Sequence, residues 1–128
     1  MTYRWLEHTA ELQLELRADD EEGVFAEGVA AFAELLGDGS GQDVTHELAM
    51  QAGERSGRLV ELLEELVFLA DTSGFIPRRL AQIDLVAGHA TIDGYRGDPP
   101  PLVKAVTYHD LEFRRDDGSW FARVVLDV

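Results

Sequence analysis

The sequence predicts a single α+β domain over residues 1–128, a largely antiparallel mixed β-sheet with two α-helices packed on it. Three observations lead there. Leu12–Leu16 and Val44–Met50 alternate in period two, as half-buried strands do. Residues 24–36 and 58–70 repeat apolar side chains every three or four positions, as amphipathic helices do. A chain of 128 residues that is 45% hydrophobic is sized for one core.

The elements can be justified in order. Tyr3 to Leu6 reads as a short strand, and a polar His8-Thr9-Ala10 turn leads into the strand of Leu12, Leu14 and Leu16. Asp19-Asp20-Glu21-Glu22 offers an N-cap and first-turn acids for the positive end of a helix. Its buried stripe is Val24, Phe25, Val29, Phe32, Leu35 and Leu36; Gly23 and Gly28 weaken it but suit close packing on a sheet. Gly37 to Gly41 stops this helix as a flexible loop. After the strand of Val44, His46, Leu48 and Met50, a second helix runs from Arg58 to Ala70 on Leu59, Leu62, Leu63, Leu66 and Leu69, and Asp71 to Gly74 ends it.

Phe75-Ile76 reads as a short piece closed by Pro77. Leu80–Val86 and Ala90–Tyr95 are strands around Ala87-Gly88-His89. Asp98 to Pro101 cannot join a ladder, so the strand Lys104–His109 starts sharply. Alternation puts Ala105, Thr107 and His109 on one of its faces and Lys104, Val106 and Tyr108 on the other. Asp110 to Val128 reads as a hairpin, with Trp120–Leu126 following the turn Asp116–Ser119. The order is β-β-α-β-α-β-β-β-β.

Charge narrows the function. There are 25 Asp and Glu against 11 Lys and Arg, a net charge of −14. A protein that grips nucleic acid alone needs a basic surface for phosphates. Here the only adjacent basic pairs are Arg78-Arg79 and Arg114-Arg115, so no independent nucleic-acid binding is expected. The acid excess gives solubility, or suits a basic protein partner or a cation. Cysteine is absent, which excludes disulfides, thiolate metal sites and cysteine nucleophiles. No apolar run approaches the ~20 residues of a bilayer span, and Met1–Trp5 lacks the features of a signal peptide. The expected location is the cytoplasm, with no membrane partner. Oligomeric state stays open: a strand edge invites pairing and acidic repulsion opposes it.

Several residues carry chemistry. His8 and Glu11 can converge to bind metal or exchange protons, though spacing alone reads them as a solvated turn. The last strand runs into Asp127 and Val128, placing a side-chain carboxylate next to the terminal one. Two such anions at a strand end suit a hard cation, calcium or magnesium, which prefers oxygen ligands. Lys104 can hold a carboxylate or phosphate, and His109 can act as a base or as a hydrogen-bonded sheet residue. Glu61, Glu64 and Glu65 fall off the leucine stripe, as a solvated face does. No phosphate loop, nucleophile elbow or paired metal-histidine motif is present, so an independent enzyme is poorly supported.

Separated segments together resemble one family, the archeases. Tyr3-Arg4-Trp5-Leu6-Glu7-His8-Thr9-Ala10-Glu11 is similar to the family's first motif, an aromatic-rich strand before aspartate-His-Thr-Ala-aspartate. Leu62–Leu69 is similar to its leucine-rich helix motif, Val103–His109 to its Val-Lys-Ala-Val-Thr-Tyr-His motif, and Leu126-Asp127-Val128 to its ending. Glu7 and Glu11 replace aspartates, Gln13 a common glycine and Glu64 an asparagine; the longer Glu11 must withdraw slightly or bind a cation differently.

The resemblance implies a non-enzymatic accessory factor for a GTP-dependent RNA ligase of the RtcB type, acting in tRNA splicing and RNA repair. That ligase joins a 2′,3′-cyclic phosphate or 3′-phosphate end to a 5′-hydroxyl, and the accessory promotes guanylylation of its active-site histidine for multiple turnover. The resemblance also implies a divalent metal, calcium with magnesium or manganese as alternatives, on Glu11, Asp127 and the Val128 terminal carboxylate. Lys104 and Glu65, with His8 and His109, are implied for ligase activation. The N-terminal turn and the final strand are then expected to meet at one sheet edge. The competing readings are a chaperone-like binding module for nucleic-acid-modifying enzymes with no metal role, a metal-dependent hydrolase using His8 and His109, and a structural interaction domain.

Overall fold

A computed structural model of the chain describes residues 1–8, 11–37 and 41–128, with the side chains of Glu7 and His8 excepted. The Thr9-Ala10 part of the expected turn, the His8 side chain and the Asp38–Ser40 part of the glycine loop lie outside the described residues. The described chain forms β1 (Thr2–His8), β2 (Glu11–Ala18), α1 (Glu21–Leu36), β3 (Gln42–Ala49), α2 (Arg55–Ser73), β4 (Phe75–Asp84), β5 (His89–Arg96), β6 (Ala105–Asp116) and β7 (Ser119–Asp127). The order matches the sequence pattern.

The strands divide between two antiparallel sheets rather than one, β1-β2-β7-β6 and β3-β5-β4. Both helices touch both sheets: α1 meets β2 and β4, and α2 meets β6 and β4. One core therefore serves all the layers. The alternation of β2 turns Leu14 and Leu16 fully inward, opposite Val124 and Ala122 of β7. The whole leucine stripe of α2 is buried, and each such side chain contributes about 1.5–3 kcal/mol. Gly28 of α1 lies where an added Cβ would touch Leu63 of α2 and Leu16 of β2 at 3.4 and 3.5 Å. It permits the close packing that the sequence suggested.

Helix ends follow side-chain chemistry. Asp20 Oδ1 accepts from the Gly23 N–H at 2.7 Å, which caps α1. The second helix is longer than the leucine spacing indicates, by three residues at each end. At its C-terminus Thr72 and Ser73 donate their hydroxyls to the carbonyls of Phe68 and Leu69. Gly74 then stops it in the left-handed region at φ 69°.

Two expectations fail locally. Pro77 does not close a short piece; β4 runs through it from Phe75 to Asp84. The strand is at the edge of its sheet, and its register shifts next to Pro77 and again at Leu80, so the missing N–H costs no central ladder bond. The alternation beginning at Lys104 also stops at Thr107. Thr107 pairs with Val125 and Glu112 with Arg123, so four residues of β6 face one of β7. In this bulge Tyr108 is 66% exposed instead of following Val106 inward, and Asp110 has φ 52°. Beyond it β6 continues to Asp116, and Asp117 and Gly118, both at positive φ, make the two-residue hairpin turn.

Replacing Asp20 by Ala removes the α1 cap. Urea unfolding of Asp20→Ala is expected to show a loss of about 1 kcal/mol.

Candidate functional site

The strand pairing builds the site. Glu11, the first residue of β2, is directly opposite Asp127, the last of β7, and Asp127 is opposite Ala105 of β6 on its other side. The Lys104 N–H extends that ladder by donating to the Asp127 carbonyl at 2.8 Å. Directly opposed residues share a face, so the two carboxylates point to one side. That side faces away from the core, because the neighbouring Leu126 and Val106 face inward. The meeting point is thus the end of the two central strands, not the sheet edge expected from the sequence. Among the described residues neither Glu11 nor Asp127 forms an ion pair.

Two like charges directly opposite destabilise a sheet by about 0.2–1 kcal/mol, and a cation between them relieves this. The donors are hard oxygens, the set that calcium or magnesium takes. Among the described residues no three His, Cys, Asp or Glu side chains gather as a metal cluster. Among the described residues Glu11 and Asp127 therefore have no third side chain of this kind beside them.

The other candidates lie apart from this pair. Lys104, two positions before the inward Val106, shares a cleft with Glu64, Val67, Phe68 and Asp71 on the helix side of the sheet. Glu65 lies on α2 in a neighbouring hollow with Leu48, Ala49 and Phe68. His109 sits in the bulge, exposed, with Nε2 3.3 Å from Asp110 Oδ2. The bulge stays close to the outer face, since Arg123 Nε donates to the Asp110 carbonyl at 3.2 Å. Sequence reasoning missed the bulge and the exposed Phe68. Phe68 had a signal, an aromatic in the acidic stripe of Glu61, Glu64 and Glu65; the bulge had none.

Four of the arginines scattered along the sequence, Arg4, Arg17, Arg114 and Arg123, gather on the outer face of the larger sheet. Arg17, Arg114 and Arg123 stand over the Phe121 ring at 4.7, 4.9 and 6.0 Å. Their charges are met by acids: Arg17 by Asp116 at 2.7 Å, Arg123 by Glu112 at 3.0 Å, and Arg4 by Glu15. The hydrogen bond from Arg17 holds the Asp116 carboxyl below its ordinary 3.8; Arg114 adds to this and partial desolvation opposes it. This is a paired, stacked surface, not a free phosphate-binding patch.

The fold and site define a class: a small two-sheet α+β protein whose distinctive polar feature is a pair of facing carboxylates at a sheet end. Residues 3–128 match the archease protein family (MTH1598/TM1083). The chain belongs to that family. The archease of Methanopyrus kandleri is 32% identical over the full length of both chains. That of Pyrobaculum islandicum is 29% identical over 98% of this chain and 95% of its own. The solution structure of Methanobacterium thermoautotrophicum protein 1598 superposes with a TM-score of 0.74 at 26% identity, covering 98% of each chain. The crystal structure of a Thermotoga maritima archease, described as a possible chaperone, has a TM-score of 0.69 at 18% identity over 96% of this chain and 94% of its own, and shares the fold. No helix among the described residues is long and apolar enough to cross a membrane.

Asp116 sets a pH dependence. Its carboxyl is held below the unfolded value of 3.8, so its stabilisation is present above that value and lost as pH falls through the folded one. Acid titration of stability from about pH 5 downward is expected to fall more steeply in the wild type than in Asp116→Asn.

Proposed function

We propose that this archease activates an RtcB-type, GTP-dependent RNA ligase. It promotes guanylylation of the ligase's active-site histidine and so sustains repeated joining of 3′-phosphate or cyclic-phosphate ends to 5′-hydroxyl ends. It acts as an accessory protein in the cytoplasm and does no ligation itself. The observation that carries the reading is the Glu11–Asp127 pair, two carboxylates held face to face by strand register in a member of this family.

In this reading Glu11, Asp127 and the Val128 carboxylate hold a divalent cation, calcium first, with magnesium and manganese as alternatives. The bound cation supplies positive charge for phosphate groups in the ligase's cleft. The remaining work belongs to the chain's own residues. The acidic outer tip enters a basic, phosphate-binding cleft by charge complementarity. His109, carried outward by the bulge, is available to the ligase or its nucleotide; Lys104 and Glu65 contact the ligase from the helix side of the sheet, and His8 is a further contact residue. A second reading, a chaperone-like binding module without metal, draws support from the description of the Thermotoga maritima relative as a possible chaperone.

Ligation by the cognate ligase, followed with labelled GTP under single- and multiple-turnover conditions, tests the proposal. The protein is expected to accelerate guanylylation and sustain turnover. Glu11→Ala and Asp127→Ala are expected to lose at least about tenfold of that stimulation without losing ligase affinity. Stimulation by a C-terminally extended protein equal to that of the wild type would rule out the Val128 ligand. Calcium at about a hundred times its Kd stabilises a one-site binder by ~2.7 kcal/mol. That increment is expected in thermal melts of the wild type and absent from Asp127→Asn; equal melts in all variants, with stimulation kept, would favour the metal-free module.

A further inference from the structure

The outward stripe of α2 is unusual. Glu64, Phe68 and Asp71 follow one another at helical spacing on the side away from the buried leucines. Phe68 is 57% exposed, while the leucines at 62, 63 and 66 are fully buried. With Val67, Phe68 forms one wall of a cleft whose other wall is Lys104, Ala105 and Val106. Val67 and Asp71 also line a larger cleft of about 360 Å³, floored by Phe32, Leu36 and Ala70 and walled by Pro99–Pro101. The two clefts adjoin along α2, sharing Val67 and Asp71, and together are called the groove.

Its charge is one-sided. Glu64 and Asp71 border the first cleft and Asp98 the second, and among the described residues none of the three makes an ion pair. Among the described residues lining the groove the single cation is Lys104, the only lysine of the chain. Nucleic acid would be repelled here; a polypeptide carrying Lys or Arg would be attracted. Three consecutive prolines make one wall stiff, which lowers the ordering cost of binding.

We propose that this groove docks a basic segment of a protein partner, seating one large apolar side chain against Phe68 between lysines or arginines that meet Glu64, Asp71 and Asp98. Aromatic anchors ringed by polar groups carry most of the affinity at such surfaces. The groove adjoins the activating tip but does not overlap it: Lys104 bonds to the Asp127 backbone, while the Glu11 and Asp127 side chains project from the opposite face of the sheet. Docking along α2 leaves the facing carboxylates free. The inference rests on the function proposed above only for the partner's identity, the ligase.

Affinity and guanylylation are measured with the cognate ligase for the wild type, Phe68→Ala, Asp71→Lys and Glu11→Ala. Phe68→Ala and Asp71→Lys are expected to raise Kd at least roughly tenfold and to recover guanylylation at saturating concentration; Glu11→Ala is expected to do the reverse. Because Phe68 is exposed, its variant should keep the wild-type circular dichroism spectrum and melting temperature. A wild type that activates the ligase, with Kd unchanged in Phe68→Ala, would overturn the groove and leave the activation reading standing. If the wild type fails to activate, that reading falls. A second arm then decides the groove: backbone amide shifts with an alternating Leu-Lys peptide and its Leu-Glu counterpart. Shifts at residues 64–71 and 98–106 with the Lys peptide alone, weakened in Phe68→Ala, support the groove; shifts unaffected by that substitution, or elsewhere, overturn it.

Discussion

The pairing of β2 with β7 is the constraint on which the rest depends. Eight consecutive residue pairs run from Glu11↔Asp127 to Ala18↔Trp120, down the centre of the larger sheet. One face of this ladder is the sheet's share of the core, with Leu14, Leu16, Val124 and Leu126 all inaccessible to solvent. Strands have a side-chain period of two, so a slip of one residue would turn that whole set outward. The register that buries the leucines is therefore the register that sets Glu11 against Asp127. The opposed carboxylates, a local cost, are held in place by the burial of apolar residues further along the same two strands. A site fixed in this way needs no dedicated loop.

The same ladder organises the opposite face differently along its length. Near the hairpin end, Phe121 lies beneath three arginines whose charges are met by Asp116 and Glu112. Arginine suits this because its planar cation stacks on the ring while forming planar ion pairs. At the other end, Glu11 and Asp127 have no such counterions among the described residues. A face that neutralises itself at one end and leaves two acids together at the other directs cations to the second end. The net charge of −14 alone says nothing about that location.

Element order was legible because each element carries a local period: two in Leu12–Leu16, three to four in the leucines of α2. The partition into two sheets was not, since strand partners are chosen by long-range packing that no local period records. Pro77 misled for a related reason. Its missing N–H forbids a central strand, and only the tertiary fold makes β4 an edge. The bulge after Thr107 was invisible because Tyr108-His109-Asp110-Leu111 contains no glycine to mark it, and Asp110 takes the left-handed conformation unaided. At the site, the resemblance supplied Glu11 and Asp127, and the register later set them opposite each other. The same motifs grouped Lys104 and Glu65 with them, although alternation and the α2 stripe carry both to the other side of the sheet.

That separation bears on how the activation proposed above can work. On the proposed reading, an activator must hold its partner and also present a chemical group to it. If both tasks used one surface, each substitution would change affinity and activation together. Here the sheet stands between them. The facing carboxylates belong to its outer side, and the groove of Phe68 and Asp71 to its helix side. The link is backbone: the Lys104 N–H to the Asp127 carbonyl, which ties the start of β6 to the end of β7. A partner seated along α2 would press on the chain next to Asp127 without touching its carboxylate. Docking and presentation can then be tuned by different side chains while a single strand pairing keeps their relative position fixed.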